Sequence, residues 1–206
     1  MPAKNPFKRL LNQDTNFPLP GFIDIHCHIL PAIDDGPEEE EESVEMAQLA
    51  KDDGITHIFA TPHIMIGSYE NTATTIGVAL ERFLPRVPEG IAVFSGADVR
   101  ISADLAERLD RKEIPTLGGS PYLLLELPSY AMPLNMEAFL FALRRKEYIP
   151  VITHPERYGY FAANLSKLVM LRDEGALVQI TASSVTGDLG RDIKKTALMM
   201  TEKNLV

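Results

Sequence analysis

"GFIDIHCHILPAIDDGP", residues Gly21 to Pro37, sets two histidines one residue apart, and then two adjacent aspartates, directly after an apolar, β-branched run. Side chains alternate across a strand, so Asp24, His26 and His28 share one face while Ile23, Ile25 and Cys27 share the other. The apolar face packs inward and both imidazoles aim at one place near the strand's end. His-x-His spacing lets two rings reach a single metal ion. Asp34 and Asp35 stand in a Gly-Pro turn, where aspartate is ordinary turn chemistry when read alone. Glu38 to Glu42 read as a solvated helix start favoured by the helix dipole.

Outward from this stretch one pattern recurs: an apolar run ending in a polar or metal-capable residue, then an amphipathic segment. Strands are expected at 22–28, 56–61, 91–97, 122–127, 149–153 and 177–182, and short apolar runs of this kind suit strands buried on both faces. Helices are expected at 38–53, stopped by Gly54; at 103–112, capped by Ser102; at 136–146, capped by Asn135; at 167–174, opened by Ser166 and ended by Gly175; and at 191–203. Alternating strand and helix implies parallel pairing and an α/β fold. Ligand-type residues gathered at strand C-termini favour a barrel, with an open doubly wound sheet as the alternative. After the last helix, Asn204 suits a left-handed C-cap and Leu205-Val206 would begin another strand, so the chain is expected to lack at least one further strand.

The bulk properties narrow the classes. At 206 residues with 45% hydrophobic and 24% charged residues, the chain suits one sizeable soluble domain, here 21–206, preceded by a Pro/Asn-rich tail or linker at 1–20. A formal charge of −9 argues against nucleic acid as the main partner. No stretch approaches the ~20 apolar residues of a membrane-inserted helix, and the N-terminus lacks the apolar core of a signal peptide. The one cysteine, Cys27, cannot form an internal disulfide, which fits a cytoplasmic protein.

The later strand ends carry further donors. "FATPHI" offers His63 just past its strand, where Pro62 holds the chain extended, whereas His57 near the strand's start reads as structural. "SGADVR" offers Asp98, "YLLLELP" places Glu126 in an apolar run where a lone carboxylate is costly, and "VITHPERY" offers His154 and Arg157. Mixed imidazole and carboxylate donors suit Mn²⁺, Fe or Zn²⁺. A cluster of two or more such ions with bridging carboxylates activates water against phosphate esters. Arg157 supplies a planar fork for phosphate oxygens, or else a surface salt bridge to Glu156 or a neighbour.

Taken in order, FIDIHCH, IDDGP, ATPH, GAD, YLLLELP and ITHPERY resemble the PHP (polymerase and histidinol phosphatase) superfamily. More narrowly, they resemble the bacterial tyrosine phosphatases encoded with capsular and exopolysaccharide genes. The resemblance runs from about Gly21 to Arg191. It implies a distorted (β/α)₇ PHP barrel with a trinuclear site, usually manganese, acting on the phosphotyrosyl tail of an autophosphorylating bacterial kinase that controls polysaccharide export. By that resemblance His26 and His28 bind the first ion, Glu126 and His154 the second, and Asp35 and His63 the third. Asp98 takes the bridging position and Arg157 helps hold the phosphate.

Two departures stand out. The bridging residue is usually Glu, so Asp98 is shorter by one methylene, about 1.5 Å. The family's following Asp-x-His block is absent, in accord with the missing strand. A cysteine phosphatase is a poor competitor, because Cys-x₅-Arg would need arginine where Ile33 stands. The competing readings are a histidinol-phosphate type of phosphoesterase and a non-catalytic phosphoprotein-binding scaffold.

Overall fold

Glycine and proline divide the apolar runs of this chain, and the strands between them pair in parallel. The computed structural model describes residues 21–206. The tail or linker read at 1–20 lies outside the described residues. The chain divides into two compact units, the first running to Ala97 and including Lys112–Ser120, the second made of Asp98–Arg111 and Pro121–Val206.

The first unit contains β1 (Phe22–Cys27), α1 (Glu40–Asp52), β2 (Ile55–Ala60), β3 (His63–Ile64), α2 (Ala73–Phe83) and β4 (Ala92–Ser95). β1, β2 and β4 pair in that order, all parallel, with Asp24 opposite Ile58 and Cys27 opposite Ala60. Parallel pairing puts the C-termini of β1 and β2 at the same end, so His28 and His63 leave the sheet together. α1 starts with a capping box between Glu39 and Glu42, with Glu40 to Glu42 in the dipole-favoured first turn. Gly54, at φ +87°, ends it as expected.

The sequence reading assigned no helix to 73–83, yet α2 forms there. Thr72 and Thr75 make a reciprocal cap, and Ile76, Leu80 and Phe83 bury one face at helical spacing.

The second unit contains β5 (Asp98–Arg100), α3 (Leu105–Asp110), β6 (Tyr122–Glu126), α4 (Met136–Arg145), β7 (Ile149–Thr153), α5 (Gly159–Ala163), α6 (Ser166–Asp173), β8 (Leu177–Gln179), α7 (Ala182–Thr186) and α8 (Arg191–Glu202). β5 pairs with β6, β6 with β7 and β7 with β8, each in parallel. Leu123, Leu124 and Leu125 of β6 are each fully buried. At about 2 kcal/mol per side chain they anchor the strand that ends in Glu126. Met136, Leu140 and Leu143 form the buried stripe of α4. Its N-cap, Asn135, acts through a left-handed backbone (φ 58°) rather than through the expected side-chain bond. Asn204 takes the expected left-handed C-cap conformation at φ 51°.

The strand expected at 91–97 is interrupted. β4 stops at Ser95 and Asp98 opens the new strand β5 rather than closing the old one. Gly96 lies between them; a Cβ there would stand 2.9 Å from both Leu117 Cδ2 and Thr61 Cγ2. A close approach of this kind is a common reason for glycine to interrupt a strand. Among the described residues no helix is long and apolar enough to cross a membrane.

Candidate metal centre

In the first unit the strand end of β1 is pinned before any side chain is placed. The Cys27 amide donates to Thr61 Oγ1 at 2.9 Å, and the Thr61 amide donates to the Cys27 carbonyl at 2.8 Å. Flanking this clamp, His26 Nε2 and His28 Nε2 stand 3.2 Å apart. Nitrogens sharing a cation at ~2.1 Å, at octahedral to tetrahedral angles, stand roughly 3.0–3.4 Å apart. The pair therefore has the spacing of two ligands of one ion. Asp24 sits behind them and accepts the His26 amide at 3.0 Å. Burial raises its pKa above the usual carboxylate value, against the lowering effect of that hydrogen bond and of the two histidines.

The other nitrogen of His28 faces carboxylates. Nδ1 is 2.7 Å from Asp34 Oδ2 and 3.0 Å from Asp35 Oδ1. Asp35 Oδ1 is also 3.8 Å from His63 Nε2. Donor atoms of His28, Asp35 and His63 all lie within 4.8 Å of one another. Because Nδ1 of His28 is engaged by the acids, Asp35 and His63 form the natural second pair, separate from His26 and His28. His63 is steadied by Asn71, whose Nδ2 donates to the carbonyls of His63 and Ile33, and by a stacked Tyr69 ring at 5.7 Å. Burial opposes ionisation of Asp34, but the His28 hydrogen bond and charge and the amides of His63 and Gly36 overcome it and lower its pKa. His57 is 2% exposed, hydrogen-bonded to Thr56 and stacked on Phe94 at 6.0 Å, the setting of a core residue.

In the second unit the donors are mainly acids. Both oxygens of Glu126 are held by Arg100, Nε and Nη2 each at 2.9 Å. The register explains this, since Arg100 lies directly opposite Glu126 across β5 and β6. Asp98 Oδ1 accepts from Thr153 Oγ1 at 3.1 Å, and its Oδ2 is 3.6 Å from His154 Nε2. His154 has a left-handed backbone (φ 36°, ψ 48°), a conformation that costs a non-glycine residue about 1–3 kcal/mol. Its amide donates to the Gln179 carbonyl at 2.8 Å, which holds the turn. His154 Nδ1 lies 3.2 Å from the Tyr158 hydroxyl. Burial, and then the Glu126 and Asp98 charges, raise the Tyr158 pKa, so the phenol stays protonated. With Nδ1 paired to that hydroxyl, Nε2 is the nitrogen facing Asp98.

Arg157 is exposed and donates to Thr181 Oγ1 at 2.7 Å. Glu156, offered by the sequence as its surface partner, is instead 2% exposed and accepts from the Thr181 amide and the Ser184 hydroxyl at 2.9 and 2.7 Å. Thus Glu156 ties the turn after β7 to the start of α7. Sequence reading missed Arg100, Asn71, Tyr158 and the burial of Asp34. Of these only Arg100 carried a signal, being two residues beyond Asp98 on the same strand face.

Similarity to known proteins agrees with this chemistry. The family model for capsular polysaccharide synthesis, CpsB/CapC, matches residues 22–206. The tyrosine-protein phosphatase YwqE of Bacillus subtilis (strain 168) is 38% identical over 188 residues, covering 90% of this chain and 74% of that protein. The tyrosine-protein phosphatase CpsB of Streptococcus pneumoniae is 30% identical over 193 residues, covering 90% and 79%. A solved chain, from crystal structures of YwqE and CpsB described as metal-dependent tyrosine phosphatases, aligns with a TM-score of 0.86 at 37% identity, over 90% of this chain and 76% of that one. With a family model spanning every described residue but the first, and relatives matched over nine-tenths of its length, the chain belongs to the CpsB/CapC family of capsular polysaccharide synthesis.

Proposed function

We propose that this protein is a metal-dependent protein-tyrosine phosphatase of capsular or exopolysaccharide synthesis. Its substrate in this reading is the phosphotyrosyl tail of a bacterial tyrosine kinase, and its compartment is the cytoplasm. The observation that carries the reading is the pair of His26 and His28 Nε2 atoms, 3.2 Å apart at the end of a clamped strand, in a chain whose relatives are named tyrosine phosphatases. The reading includes a distorted (β/α)₇ PHP barrel formed by residues 21–206 as one domain, to which parallel pairing in each unit is suited.

The donors fit hard or borderline divalent cations, with Mn²⁺ the first choice and Fe or Zn²⁺ compatible. His26 and His28 would hold one ion, Asp35 and His63 another, and Glu126 with His154 a further one, Asp98 lying beside His154 as the carboxylate in the bridging position. Arg100 does not exhaust Glu126, because each carboxylate oxygen keeps a second lone pair. When bound, such ions supply acidified water and draw charge from the phosphoryl oxygens. The protein's own groups do the rest. Thr61 and Asp34 fix the imidazoles, Tyr158 orients His154, and Arg157 offers a guanidinium fork to phosphate oxygens. A tyrosyl leaving group departs as a stabilised phenolate and makes little demand on a general acid.

The deciding experiment measures turnover of a phosphotyrosyl peptide and of histidinol phosphate, with Mn²⁺ and with chelator. Turnover that needs Mn²⁺ and favours the peptide is expected. Chelator-resistant turnover would overturn the metal reading, preference for histidinol phosphate would reassign the substrate, and peptide binding without turnover would make this a binding protein.

A further inference from the structure

Asp34 is the residue whose sequence setting and structural setting differ most. In the sequence it is one of two adjacent aspartates in a turn. In the structure the two have opposite environments: the Asp34 side chain is 0% exposed and that of Asp35 is 57% exposed. Asp34 Oδ1 accepts the Gly36 amide at 3.0 Å, as a turn residue would. Its other oxygen serves no turn. Oδ2 takes the His63 amide at 2.9 Å and stands 2.7 Å from His28 Nδ1.

Both carboxylates approach His28 Nδ1, Asp35 Oδ1 in hydrogen-bond geometry at 3.0 Å and Asp34 Oδ2 at 2.7 Å, but they are not equivalent. Asp34 is closer, buried and tied at both oxygens, so it has one orientation available. Asp35 is largely solvated and shares its oxygen with His63, which leaves it able to turn toward another partner. Gly36 makes the arrangement possible, because a Cβ there would collide with the His28 carbonyl oxygen and stand 3.1 Å from Asp34 Oδ1.

We propose that Asp34 is a positioning residue. Its carboxylate holds the His28 ring as the Nδ1–H tautomer, leaving the Nε2 lone pair directed toward His26, and the same oxygen anchors the backbone of His63. A histidine that binds a cation through one ring nitrogen characteristically donates the other N–H to a carboxylate, which fixes both tautomer and ring angle. One buried acid thus sets two donors that lie 35 residues apart in the chain (63 minus 28). The purpose of the device rests on the metal-centre reading above, while the tautomer is a property of the metal-free protein.

The test is made on ¹⁵N-labelled, metal-free full chain, reading the His28 ring nitrogens by long-range ¹H–¹⁵N correlation, with Co²⁺ titrated separately. The wild type is expected to show a protonated Nδ1 and an unprotonated Nε2. Asp34→Asn is expected to lose that preference and to weaken Co²⁺ binding roughly 10–100-fold without loss of the native fold. A protonated Nε2 in the wild type, or Asp34→Asn binding Co²⁺ within about twofold of wild type, overturns the proposal. A purely structural Asp34 would lower the unfolding temperature and leave tautomer and affinity unchanged. Should Asp34→Asn fail to fold, metal-free Asp35→Asn decides the matter: the Nδ1–H tautomer is expected to survive there, and its loss would give the role to Asp35 and overturn the proposal. Should the wild type bind no Co²⁺, the functional reading fails while the tautomer measurement still stands.

Discussion

The two units differ in the kind of donor that predominates. In the first, three of the four donors are imidazoles and the buried acid Asp34 orients one of them, His28, with Asp35 the lone carboxylate donor between His28 and His63. In the second, acids are most of the donors and a cation or a hydroxyl orients them, Arg100 on Glu126 and Thr153 on Asp98, while the Tyr158 hydroxyl meets the one imidazole, His154. The difference has an energetic consequence. An imidazole can be buried without a charge, so those of the first unit cost little when no cation is present, whereas Glu126 and Asp98 are buried carboxylates that need a partner at all times. Damage in the first unit should therefore cost function, and damage in the second should cost the fold as well.

The largest expected effect follows directly. His26→Ala removes one of the paired nitrogens and should lower Mn²⁺-dependent phosphotyrosyl turnover at least ~100-fold, while unfolding free energy changes by about 1 kcal/mol or less. Turnover assays and chemical denaturation on the same preparation measure both. A loss of stability as large as that of a core mutant would erase the contrast.

Arg100→Ala is the matching probe of the second unit. It strands a buried carboxylate, and because Arg100 is itself partly solvated the cost should be about 2–4 kcal/mol in the metal-free protein. Mn²⁺ should recover more of that stability in the variant than in the wild type, since the cation replaces the missing charge. Thermal unfolding with and without Mn²⁺ reads the difference, and equal stabilisation of both proteins would argue that Glu126 is not near a cation.

Within the first unit, His57 differs from the donor histidines because it is a core residue. Burial lowers its pKa. The unfolded chain takes up a proton near the ordinary histidine value of about 6.5, which folded His57 resists, so stability should fall as pH drops below that value, by at most about 1.4 kcal/mol per pH unit. The loss levels off once the folded-state pKa is passed. Denaturation curves between neutral and mildly acid pH should be less pH-dependent in His57→Phe.

The smallest effect belongs to Cys27. It lies between the two histidines but points to the other strand face, and burial, with the charges of Asp24 and Asp34, pushes its pKa up to about 12. Such a thiol is no nucleophile near neutral pH. Cys27→Ser should keep turnover within about twofold, and abolished turnover would point back to cysteine chemistry.

Several of these features were legible in the residues. The alternation of FIDIHCH predicts which side chains share a face, and Asp24, His26 and His28 lie together as expected. Gly54, Gly175 and Asn204 mark helix ends through the left-handed conformations they adopt. Other features were hidden because their signal is not local. The break between β4 and β5 depends on Leu117 and Thr61 crowding Gly96, and neither is its sequence neighbour. Arg100 meets Glu126 only through the β5–β6 register. α2 carried a threonine cap and a helical apolar stripe, but Gly77 and two threonines weaken its helix propensity, and burial of Ile76, Leu80 and Phe83 outweighs that.

From residues alone came the α/β class, the alternation that pairs imidazoles on β1, and the list of donor types, because periodicity and side-chain chemistry are local properties of the chain. Tertiary structure alone decided which donor each partner holds. Asp34 and Asp35 are chemically identical neighbours, and only the fold buries one against His28 and the His63 amide while leaving the other in solvent. That choice is one of burial and hydrogen-bond geometry, which packing creates and composition does not contain.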